Sequence, residues 1–395
     1  MRRILFVDDD PAALERIREA VQCRHPDWEI EFAASGTKAW EKIVHTPFDV
    51  VVTDWDMPGM DGAELLFKVM HRNPQTVRIA LSDQADRETL LQSLGPAHQH
   101  LSKWGDLEAL MGTITRATKL RDLLANERLQ GLVSHVLALP SMPDLYLELL
   151  EELRREEPSV QRIGQIISRD LGMSAKILQF VNSAFQGRAH PAAGIEEAVT
   201  FLGIETIKAL VLSLQIFSLY SHASIEGFSF SELWTHSWTT GVLARRIAEA
   251  ENLPAREADQ AFLAGLLHDV GKLVLASGLP TQYQTALALR AKKQSALWEA
   301  EQTLFGCTHA EVGAYLLGLW GLPVPIVEAV AFHHVPAQGQ NQGFDLVIAV
   351  HVANGLLHEK ENAGSAQASS ALDLDLLVCL GLQDRLPFWK EKASV

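Results

Sequence analysis

Acidic side chains follow two short apolar runs in the N-terminal part of the chain. The run 50–52 leads into Asp54, which a loop rich in proline and glycine follows, and the run 4–7 leads into Asp8 and Asp9. If the two runs are parallel neighbouring strands, these carboxylates meet at the carboxyl edge of a sheet. Clustered carboxylates repel one another unless a hard cation such as Mg²⁺ neutralises them. The sequence therefore predicts a magnesium site at this edge.

The elements that would position these residues can be recognised from the hydrophobic pattern. Residues 1–105 alternate short apolar runs with helical spacing, which is typical of a parallel sheet covered by helices. We expect strands at 3–7, 29–33, 49–53, 77–81 and 98–102, and helices at 11–23, 36–44, 62–72 and 87–94. Ser82 follows the fourth strand and Lys103 the fifth, so both should lie at the edge that carries Asp54. A hydroxyl can bond to a phosphoryl oxygen, and a lysine ammonium can pair with phosphate.

Composition argues against several classes of protein. Lys plus Arg number 34 against 49 Asp plus Glu, a net charge of −15, whereas a nucleic-acid surface needs a basic footprint. The three cysteines, Cys23, Cys307 and Cys379, are scattered and predict neither a disulfide framework nor a cysteine zinc site. No secretory leader precedes the first strand, and the apolar runs are shorter than the roughly 20 residues of a membrane span. We expect a soluble, cytoplasmic chain without nucleic-acid or membrane partners.

The acidic cluster, the loop after Asp54, Ser82 and Lys103 occur together and in this order, and the combination resembles the receiver domain of response regulators. The resemblance implies that Asp54 accepts a phosphoryl group from a sensor histidine kinase or a phosphotransfer protein. Ser82 would be the switch hydroxyl. The implied Mg²⁺ ligands are Asp9, Asp54, a backbone carbonyl near Asp56 and, through water, Asp8.

Two positions depart from the receiver pattern. Receivers usually carry a cis proline after the active-site lysine, but here Trp104 follows Lys103. Because a non-proline cis bond costs about 3–4 kcal/mol, we expect a trans bond. His100 stands where receivers carry a switch tyrosine or phenylalanine. Its smaller, titratable ring could swing inward, or His100 could be a partly exposed loop histidine without a switching role.

The segment 106–133 connects the two halves of the chain. Its apolar residues recur near heptad spacing, so we expect the last receiver helix to run on as a connector. A continuous exposed apolar stripe is a liability in a soluble chain. We therefore expect Leu120, Leu124 and Leu129 to pack against the helical domain or a second protomer.

From about residue 134 the strand pattern gives way to helical spacing. The segment 139–143 predicts a rigid entry turn, 145–153 a helix, and 207–219 a long buried helix. After His358, the segment 361–370 has the composition of a loop. The second half is thus predicted to be all helical.

Histidines concentrate between residues 234 and 354, one or two on each successive helix. Imidazole and carboxylate are ordinary ligands of divalent metals, and several helices can project them into one cavity. A polar network that only bonds the helices together is the other interpretation, and a site that binds a metal or nucleotide without turning it over is a third. The set comprises His236, His268, Asp269, Lys272, His309, His333, His334, His351 and Asn354.

The order of these histidines, with the segments 139–143, 182–185 and 201–212 upstream, resembles the HDOD domain over about 130–358. HDOD domains are output-type relatives of HD-domain phosphohydrolases, whose metal ligands match His236, His268, Asp269 and, where an aspartate belongs, Asn354. An amide is a poorer ligand than a carboxylate, so metal affinity should be lower. The Gly-Tyr-Pro signature of the cyclic-di-GMP phosphodiesterase branch is also missing after His333 and His334.

The sequence therefore predicts a multidomain chain, with an α/β doubly wound, flavodoxin-like receiver at 1–120, a helical connector at 106–133 and an all-helical HDOD domain at 130–395. We expect phosphorylation at Asp54 to alter contacts with an unknown downstream signalling protein or with a second copy in a homodimer. The rival is a receiver-gated, metal-dependent phosphohydrolase of a cyclic dinucleotide or other nucleotide. A third possibility is a constitutive scaffold whose receiver no longer switches.

Overall fold

The computed structural model describes most of the 395 residues. The described residues are 2–22, 28–82, 96–103, 107–124, 126–134, 136, 139–141, 143–153, 155, 157–184, 192, 194–204, 207, 217–219, 225–339, 343–361 and 372–393. Contacts divide the chain into two units. The first unit is Met1–Leu137, Gln179–Pro191 and Tyr315–Leu322, and the second is Ala138–Leu178, Ala192–Ala314 and Pro323–Val395.

The first unit is built on a parallel sheet. Its five strands follow the order β2-β1-β3-β4-β5, and every neighbouring pair is parallel. The order of the described elements is β1 (Arg2–Val7), α1 (Pro11–Gln22), β2 (Trp28–Ala33), α2 (Gly36–His45), β3 (Val50–Asp54), α3 (Gly62–Arg72), β4 (Val77–Ser82), β5 (Gln99–Ser102), α4 (Leu107–Leu123) and α5 (Glu127–Ser134).

This topology is the doubly wound arrangement that the sequence predicts. Each of the five expected strands is present within one residue of its expected ends, and the helices expected at 11–23, 36–44 and 62–72 are present as well. The helix expected at 87–94 lies outside the described residues. The central strand β3 is buried along its whole length, because its apolar residues face helices on both sides of the sheet.

The connector consists of two helices. Helix α4 ends at Leu123 and α5 begins at Glu127, and the side chain of Asn126 caps α5 by accepting hydrogen bonds from the backbone N–H groups of Arg128 (3.1 Å) and Leu129 (3.2 Å). Leu124 and Leu129 are 0% and 1% exposed, whereas the side chain of Leu120 lies outside the description. The helix that ends the receiver therefore runs on to Leu123, and α5 supplies the second part of the expected connector.

The second unit is mainly helical. Its described elements, including the ends of two helices that fall in the first unit, are β6 (Leu139–Ser141), α6 (Pro143–Leu153), α7 (Val160–Ser168), α8 (Leu171–Ala184), α9 (Ile195–Leu202), β7 (Phe217–Leu219), α10 (Phe230–Ala250), α11 (Ala255–Leu267), α12 (Val270–Gly278), α13 (Pro280–Lys293), α14 (Leu297–Phe305), α15 (His309–Leu319), α16 (Val324–Phe332), α17 (Leu346–Glu361), α18 (Leu374–Cys379) and α19 (Leu386–Ala393).

Two expectations for this unit are wrong. Strands β6 and β7 pair in parallel, with Leu139 opposite Phe217, where the sequence predicts a turn and the end of a long helix. Strands of three residues are too short to show an alternating pattern, and their pairing depends on a partner far away in the chain. Within the expected helix 207–219, residues 208–216 lie outside the description.

Helices α11 and α12 lie at the apolar centre of the second unit. Among the described residues, the stretch Ala255–Gly278 is the one that is long and apolar enough to cross a bilayer, judged by length and composition. However, 78% of its apolar window is buried inside the protein, as in the core helix of a globular fold.

Candidate functional site

The acidic residues of the first unit meet at the carboxyl edge of the sheet. Strand β1 pairs with β3 so that Val7 lies opposite Thr53, which places Asp8 beside Asp54. Asp8 and Asp54 are 1% and 4% exposed. Carboxylate oxygens of Asp8, Asp9 and Asp54 lie within 4.8 Å of one another. A hard divalent cation takes such oxygen ligands, so these residues fit the Mg²⁺ that the receiver resemblance implies.

A lysine joins two of these carboxylates. Nζ of Lys103 lies 2.5 Å from Oδ2 of Asp54 and 3.1 Å from Oδ1 of Asp8. Burial raises the pKa of both carboxyl groups, and this effect outweighs the opposing attraction of Lys103. Burial lowers the pKa of Lys103 itself, but its bonds to Asp54 and Asp8 raise it further than burial lowers it. The cluster is therefore short of positive charge, which a divalent cation would supply.

The loop after Asp54 depends on close packing at Gly62. A Cβ at this position would lie 2.3 Å from the carbonyl oxygen of Asp54 and 2.9 Å from Cα of Trp55. The N–H of Gly62 donates to the carbonyl of Trp55 (3.0 Å), and the Asp61 side chain caps α3 by accepting from the N–H of Glu64 (2.8 Å). The loop that carries Asp54 is thus fixed by α3.

The remaining predicted receiver residues lie on the neighbouring strands or in this loop. Ser82 ends β4 and is 8% exposed, and its carbonyl accepts from the N–H of Lys103 (2.9 Å). His100 lies within β5, is 7% exposed and packs edge-on against Trp55 with ring centroids 5.5 Å apart. The interpretation of His100 as a partly exposed loop histidine is therefore wrong. Asp56 is exposed, and Trp104 lies outside the described residues.

The second unit brings the predicted histidines together from five helical segments. His236 lies in α10, His268 and Asp269 lie between α11 and α12, and His309 begins α15. His333 and His334 follow α16, and Asn354 lies in α17. The buried members of this cluster are His268 (0% exposed), Asp269, His309 and His333 (1% each) and Asn354 (4%).

Two groups in this cluster could each hold a metal ion. Donor atoms of His236, His268 and Asp269 lie within 4.8 Å of one another, and so do those of His309, His333 and His334. We call them the first trio and the second trio. Asp269 connects them, because its Oδ1 lies 3.1 Å from Nε2 of His309 and 3.9 Å from Nε2 of His333. This spacing allows two neighbouring divalent ions.

Backbone carbonyls fix the orientation of two of the buried rings. Nδ1 of His268 lies 2.7 Å from the carbonyl of Gly265, and Nδ1 of His333 lies 2.8 Å from that of Val330. Since a carbonyl only accepts, each Nδ1 carries the proton and each Nε2 presents a lone pair. Both Nε2 atoms are buried without a hydrogen-bond partner among the residues that the structure describes. A metal ion would satisfy both, so the donor set fits a divalent metal.

Charge around Asp269 keeps its carboxylate ionised. Burial by itself raises the pKa of Asp269, but His268, Lys272 and His309 hold it well below its usual range. Nζ of Lys272 lies 2.6 Å from Oδ2 of Asp269. Burial lowers the pKa of His268, and it lowers those of His333 and His334 strongly. For Asp269 and these three histidines, the charged carboxylate and the neutral imidazoles are the forms that metal ligation requires.

Sequence reasoning missed Glu301, which orients His309. Its Oε2 accepts from Nδ1 of His309 (2.6 Å) and from the His309 backbone N–H (2.8 Å), and Glu301 is 0% exposed. Burial by itself lowers the pKa of His309, but the nearby carboxylates raise it overall. The only sequence signal is an acidic residue eight positions before a histidine, in an otherwise apolar helix face.

His351 has a structural role instead. Its Nδ1 donates to the carbonyl of His333 (2.8 Å), and its Nε2 accepts from the N–H of Asp373 (2.9 Å). With both nitrogens bonded to the backbone, His351 belongs to neither trio. It matches the polar network that was the other interpretation of the histidines.

A cleft of about 250 Å³ lies beside the first trio. It is lined by His236, by Leu357 of α17 and by one face of α10, comprising Ser231, Glu232, Thr235 and Thr239. The ring of His236 stacks on His358 with centroids 4.8 Å apart, and its Nε2 lies 2.9 Å from Oδ1 of Asn354. The described lining carries hydroxyls and a carboxylate but no cationic side chain to receive a phosphate.

Comparisons with known proteins cover both halves of the chain. The family model for the response regulator receiver domain matches residues 4–115, and that for the HDOD domain matches residues 139–336. An uncharacterized protein of Treponema pallidum is 27% identical over 216 residues, covering 55% of this chain and 41% of that protein. The response regulator protein PilR of Pseudomonas aeruginosa is 28% identical over 127 residues, covering 32% of this chain and 28% of that protein. The chain thus spans less than half the length of these relatives.

Among solved structures, the chain is similar to the MmoQ response regulator of Methylococcus capsulatus. The two are 24% identical, the match covers 62% of this chain and 98% of that chain, and the TM-score is 0.48. The two family matches, together with the parallel sheet and the helical second unit, show that the protein is a response regulator. Since the HDOD match spans half of the sequence, the chain belongs to the HDOD domain family, with a response regulator receiver domain preceding the HDOD domain.

Proposed function

We propose that this response regulator is phosphorylated on Asp54 by a sensor histidine kinase or phosphotransfer protein and signals through protein contacts of its HDOD domain. The observation that carries the proposal is the contact of Lys103 Nζ with Asp54 Oδ2 at 2.5 Å, inside a group of three carboxylates. An aspartate that only ends a strand needs no buried ammonium beside it. A lysine placed here can pair with a phosphoryl oxygen as soon as the phosphoryl group arrives.

The residues at the sheet edge divide the chemistry among them. A carboxylate oxygen of Asp54 attacks the phosphorus of the donor, and the bond from phosphorus to the donor's leaving group breaks. Mg²⁺ held by Asp8, Asp9 and Asp54 would offset the negative charge that these groups concentrate. Lys103 then pairs with the new phosphoryl group, and the hydroxyl of Ser82 donates to it. The modification adds a charge of about −1.5 to −2.

Output through protein contacts is favoured by the bond between His236 and Asn354 and by the cleft, whose described lining carries neither lysine nor arginine. The proposed assignment is a phosphoacceptor domain at 1–120, a connector at 106–133 and an HDOD output domain at 130–395. The downstream partner is a signalling protein or a second copy of this chain.

Labelling with acetyl phosphate tests the phosphoacceptor. Asp54→Asn should abolish labelling, because the amide oxygen is not a nucleophile of comparable strength. Asp56→Asn is the matched control, since the exposed Asp56 side chain has no role in the proposal and its labelling should persist. Continued labelling of the Asp54→Asn protein would assign the phosphoryl group elsewhere.

A second candidate function is a receiver-gated, metal-dependent phosphohydrolase acting on a cyclic dinucleotide or other nucleotide. It is supported by the two trios and by the buried Nε2 atoms of His268 and His333. Metal analysis and a nucleotide-hydrolysis screen, each with and without beryllofluoride, separate the candidates. Metal-dependent turnover on the order of 10 per second, lost in His268→Ala, would establish the enzyme. Absence of turnover in metal-loaded protein would favour output through contacts.

A further inference from the structure

A fully buried arginine joins the sheet of the first unit to the end of the connector. Arg78 lies in β4 and is 0% exposed. Its guanidinium donates to the carbonyls of Pro96 (2.6 Å), Pro74 (3.2 Å), Thr76 (3.2 Å) and Ser134 (2.7 Å), and it lies 2.8 Å from Nε2 of His98. No described carboxylate contributes to its charge environment. The arginine thus binds backbone in place of a counter-ion.

One of these bonds closes the connector. Ser134 is the last residue of α5, and carbonyls at a helix C-terminus lack partners within the helix. A cation at this end also interacts favourably with the helix dipole. Nε2 of His98 lies 3.2 Å from the same carbonyl oxygen. We call Arg78, His98 and the Ser134 carbonyl the Arg78 clamp.

The clamp lies at the amino ends of β4 and β5, and the residues next to Asp54 lie at the carboxyl ends of these strands. Arg78 and His98 stand at the amino ends of β4 and β5, joined by the bond from His98 N–H to the Arg78 carbonyl (2.8 Å). Ser82 and Lys103 stand at the carboxyl ends of the same two strands. Ser82 lies four positions after Arg78 along the strand, a distance of about 13 Å. Movement of either strand along its axis therefore displaces residues both in the clamp and next to Asp54.

The closed clamp carries a free-energy cost, because the charge of Arg78 is buried. Burial lowers the pKa of Arg78 to about 9, which shows that its charge is held against a loss of solvation. The guanidinium is a rigid planar fork, so its bonds tolerate little displacement of the carbonyls. Opening the clamp would return the charge to water and so compensate for the lost bonds. Such a contact is suited to a two-state switch.

We infer that the Arg78 clamp is a latch that holds α5 on the receiver sheet and opens when Asp54 is phosphorylated. The inference rests on the proposed phosphorylation of Asp54. Ser82 and Lys103 are drawn toward the new phosphoryl group, β4 and β5 shift, and the bond from Arg78 to Ser134 breaks. The freed end of α5 then carries the signal along the connector.

A reversible disulfide tests the latch. A Cβ at Gly131 of α5 would lie 4.0 Å from Cβ of Pro74, within the range of about 3.5–4.5 Å that disulfides need. The test variant carries Pro74→Cys and Gly131→Cys, and its exposed Cys379 is replaced by serine. Beryllofluoride should raise amide hydrogen exchange in 127–134 by about tenfold or more in the parent and reduced proteins. The oxidised protein should show no such rise, and dithiothreitol should restore it.

Removing the arginine gives the complementary result. Arg78→Met should exchange rapidly in 127–134 without beryllofluoride. Arg72→Met is the matched control, because Arg72 bonds to a carbonyl, that of Val44 (3.1 Å), at an exposed site, and it should behave as the parent. Unchanged protection of 4–7 and 50–54 shows that the sheet is intact. If Arg78→Met does not fold, Arg78→Lys, which keeps the charge and loses the fork, should give intermediate exchange.

The outcomes separate the inference from the proposal beneath it. Fluorine NMR reports whether beryllofluoride binds at Asp54. If it binds and 127–134 stays protected in the parent protein, the latch is wrong while phosphorylation stands. If beryllofluoride does not bind at Asp54, the proposed phosphorylation and the latch are both wrong. Parent-like exchange of folded Arg78→Met would also overturn the latch.

Discussion

Nε2 of His236 lies 2.9 Å from Oδ1 of Asn354, the residue that the HD resemblance matches to a carboxylate ligand. An amide oxygen accepts, and this bond places a proton on Nε2 of His236, which removes that nitrogen from the first trio as a ligand. The remaining donors, His268 and Asp269, are buried and oriented. The first trio therefore lacks one ligand rather than all of them.

Restoring the carboxylate should restore the site. Asn354→Asp should tighten Mn²⁺ binding by at least about tenfold, because it adds an anionic oxygen ligand. Isothermal titration measures the change. Asn252→Asp is the control, since Asn252 is exposed in a turn with φ 59° and gains the same charge away from both trios. Equal affinity in all three proteins would mean that the trio does not bind metal.

The carboxylate of Glu301 should support the second trio. Glu301→Gln should weaken metal binding by about 10–100-fold, because a neutral amide oxygen accepts from Nδ1 of His309 more weakly than the carboxylate does and makes the ring a less basic ligand. The control is Glu299→Gln in the same helix, whose carboxylate accepts from the exposed N–H of Ala296 (3.2 Å) and lies away from His309. Titration with Mn²⁺ again gives the affinity. A similar loss in the control would indicate a general charge effect.

Close packing at Gly271 positions the helix that begins with His309. A Cβ at Gly271 would lie 2.0 Å from the carbonyl oxygen of His309, so Gly271→Ala must displace α15 and should cost about 1–3 kcal/mol. The matched control, Gly112→Ala in α4, meets no atom within 4 Å and should gain about 0.5–1 kcal/mol from helix propensity. Urea unfolding measures both. Equal stability of the two variants would contradict the packing argument.

The receiver half could be predicted because its signals are local. Strands β1 and β3 contain continuous apolar runs, and Asp54, Ser82 and Lys103 directly follow or end strands whose parallel order brings them together. The contact of Lys103 with Asp54 is a consequence of that order. By contrast, nothing in the pattern places a fully buried arginine in β4, since a charged residue in a strand usually marks its exposed face.

The second half was less accessible to such reasoning. The order of the histidines predicted that they converge, but Glu301 gains its role only from folding against His309, which adjacent residues do not encode. Strands β6 and β7 have three residues each and form by pairing with each other. The paired residues Leu139 and Phe217 are 78 positions apart in the chain. Tertiary contacts decided these features, and propensity did not.

Magnesium binding to the receiver should depend on pH. Burial raises the pKa of Asp8 and Asp54, so the folded protein takes up protons at a higher pH than the unfolded chain. Their contribution to stability is fully present below the unfolded pKa of about 3.9 and is lost as pH rises through the folded pKa. Mg²⁺ replaces the lost protons, so it should raise the melting temperature more at pH 8 than at pH 5. An equal rise at both values would contradict this, and Asp8→Asn should reduce the difference.

The packing of the connector should decide whether the two halves communicate. Leu124 is 0% exposed at the break between α4 and α5, and its carbonyl accepts a hydrogen bond from the side chain of Gln130 (2.6 Å). Truncating a buried leucine costs about 2–5 kcal/mol, which matches or exceeds typical allosteric couplings of about 1–3 kcal/mol. Leu124→Ala should therefore remove the effect of beryllofluoride on hydrogen exchange in the HDOD domain while Asp54 is still labelled by acetyl phosphate. Leu304→Ala is the control, because Leu304 is 42% exposed and its loss should leave the response intact. Identical protection of the HDOD domain with and without beryllofluoride in the parent protein would mean that this contact transmits nothing.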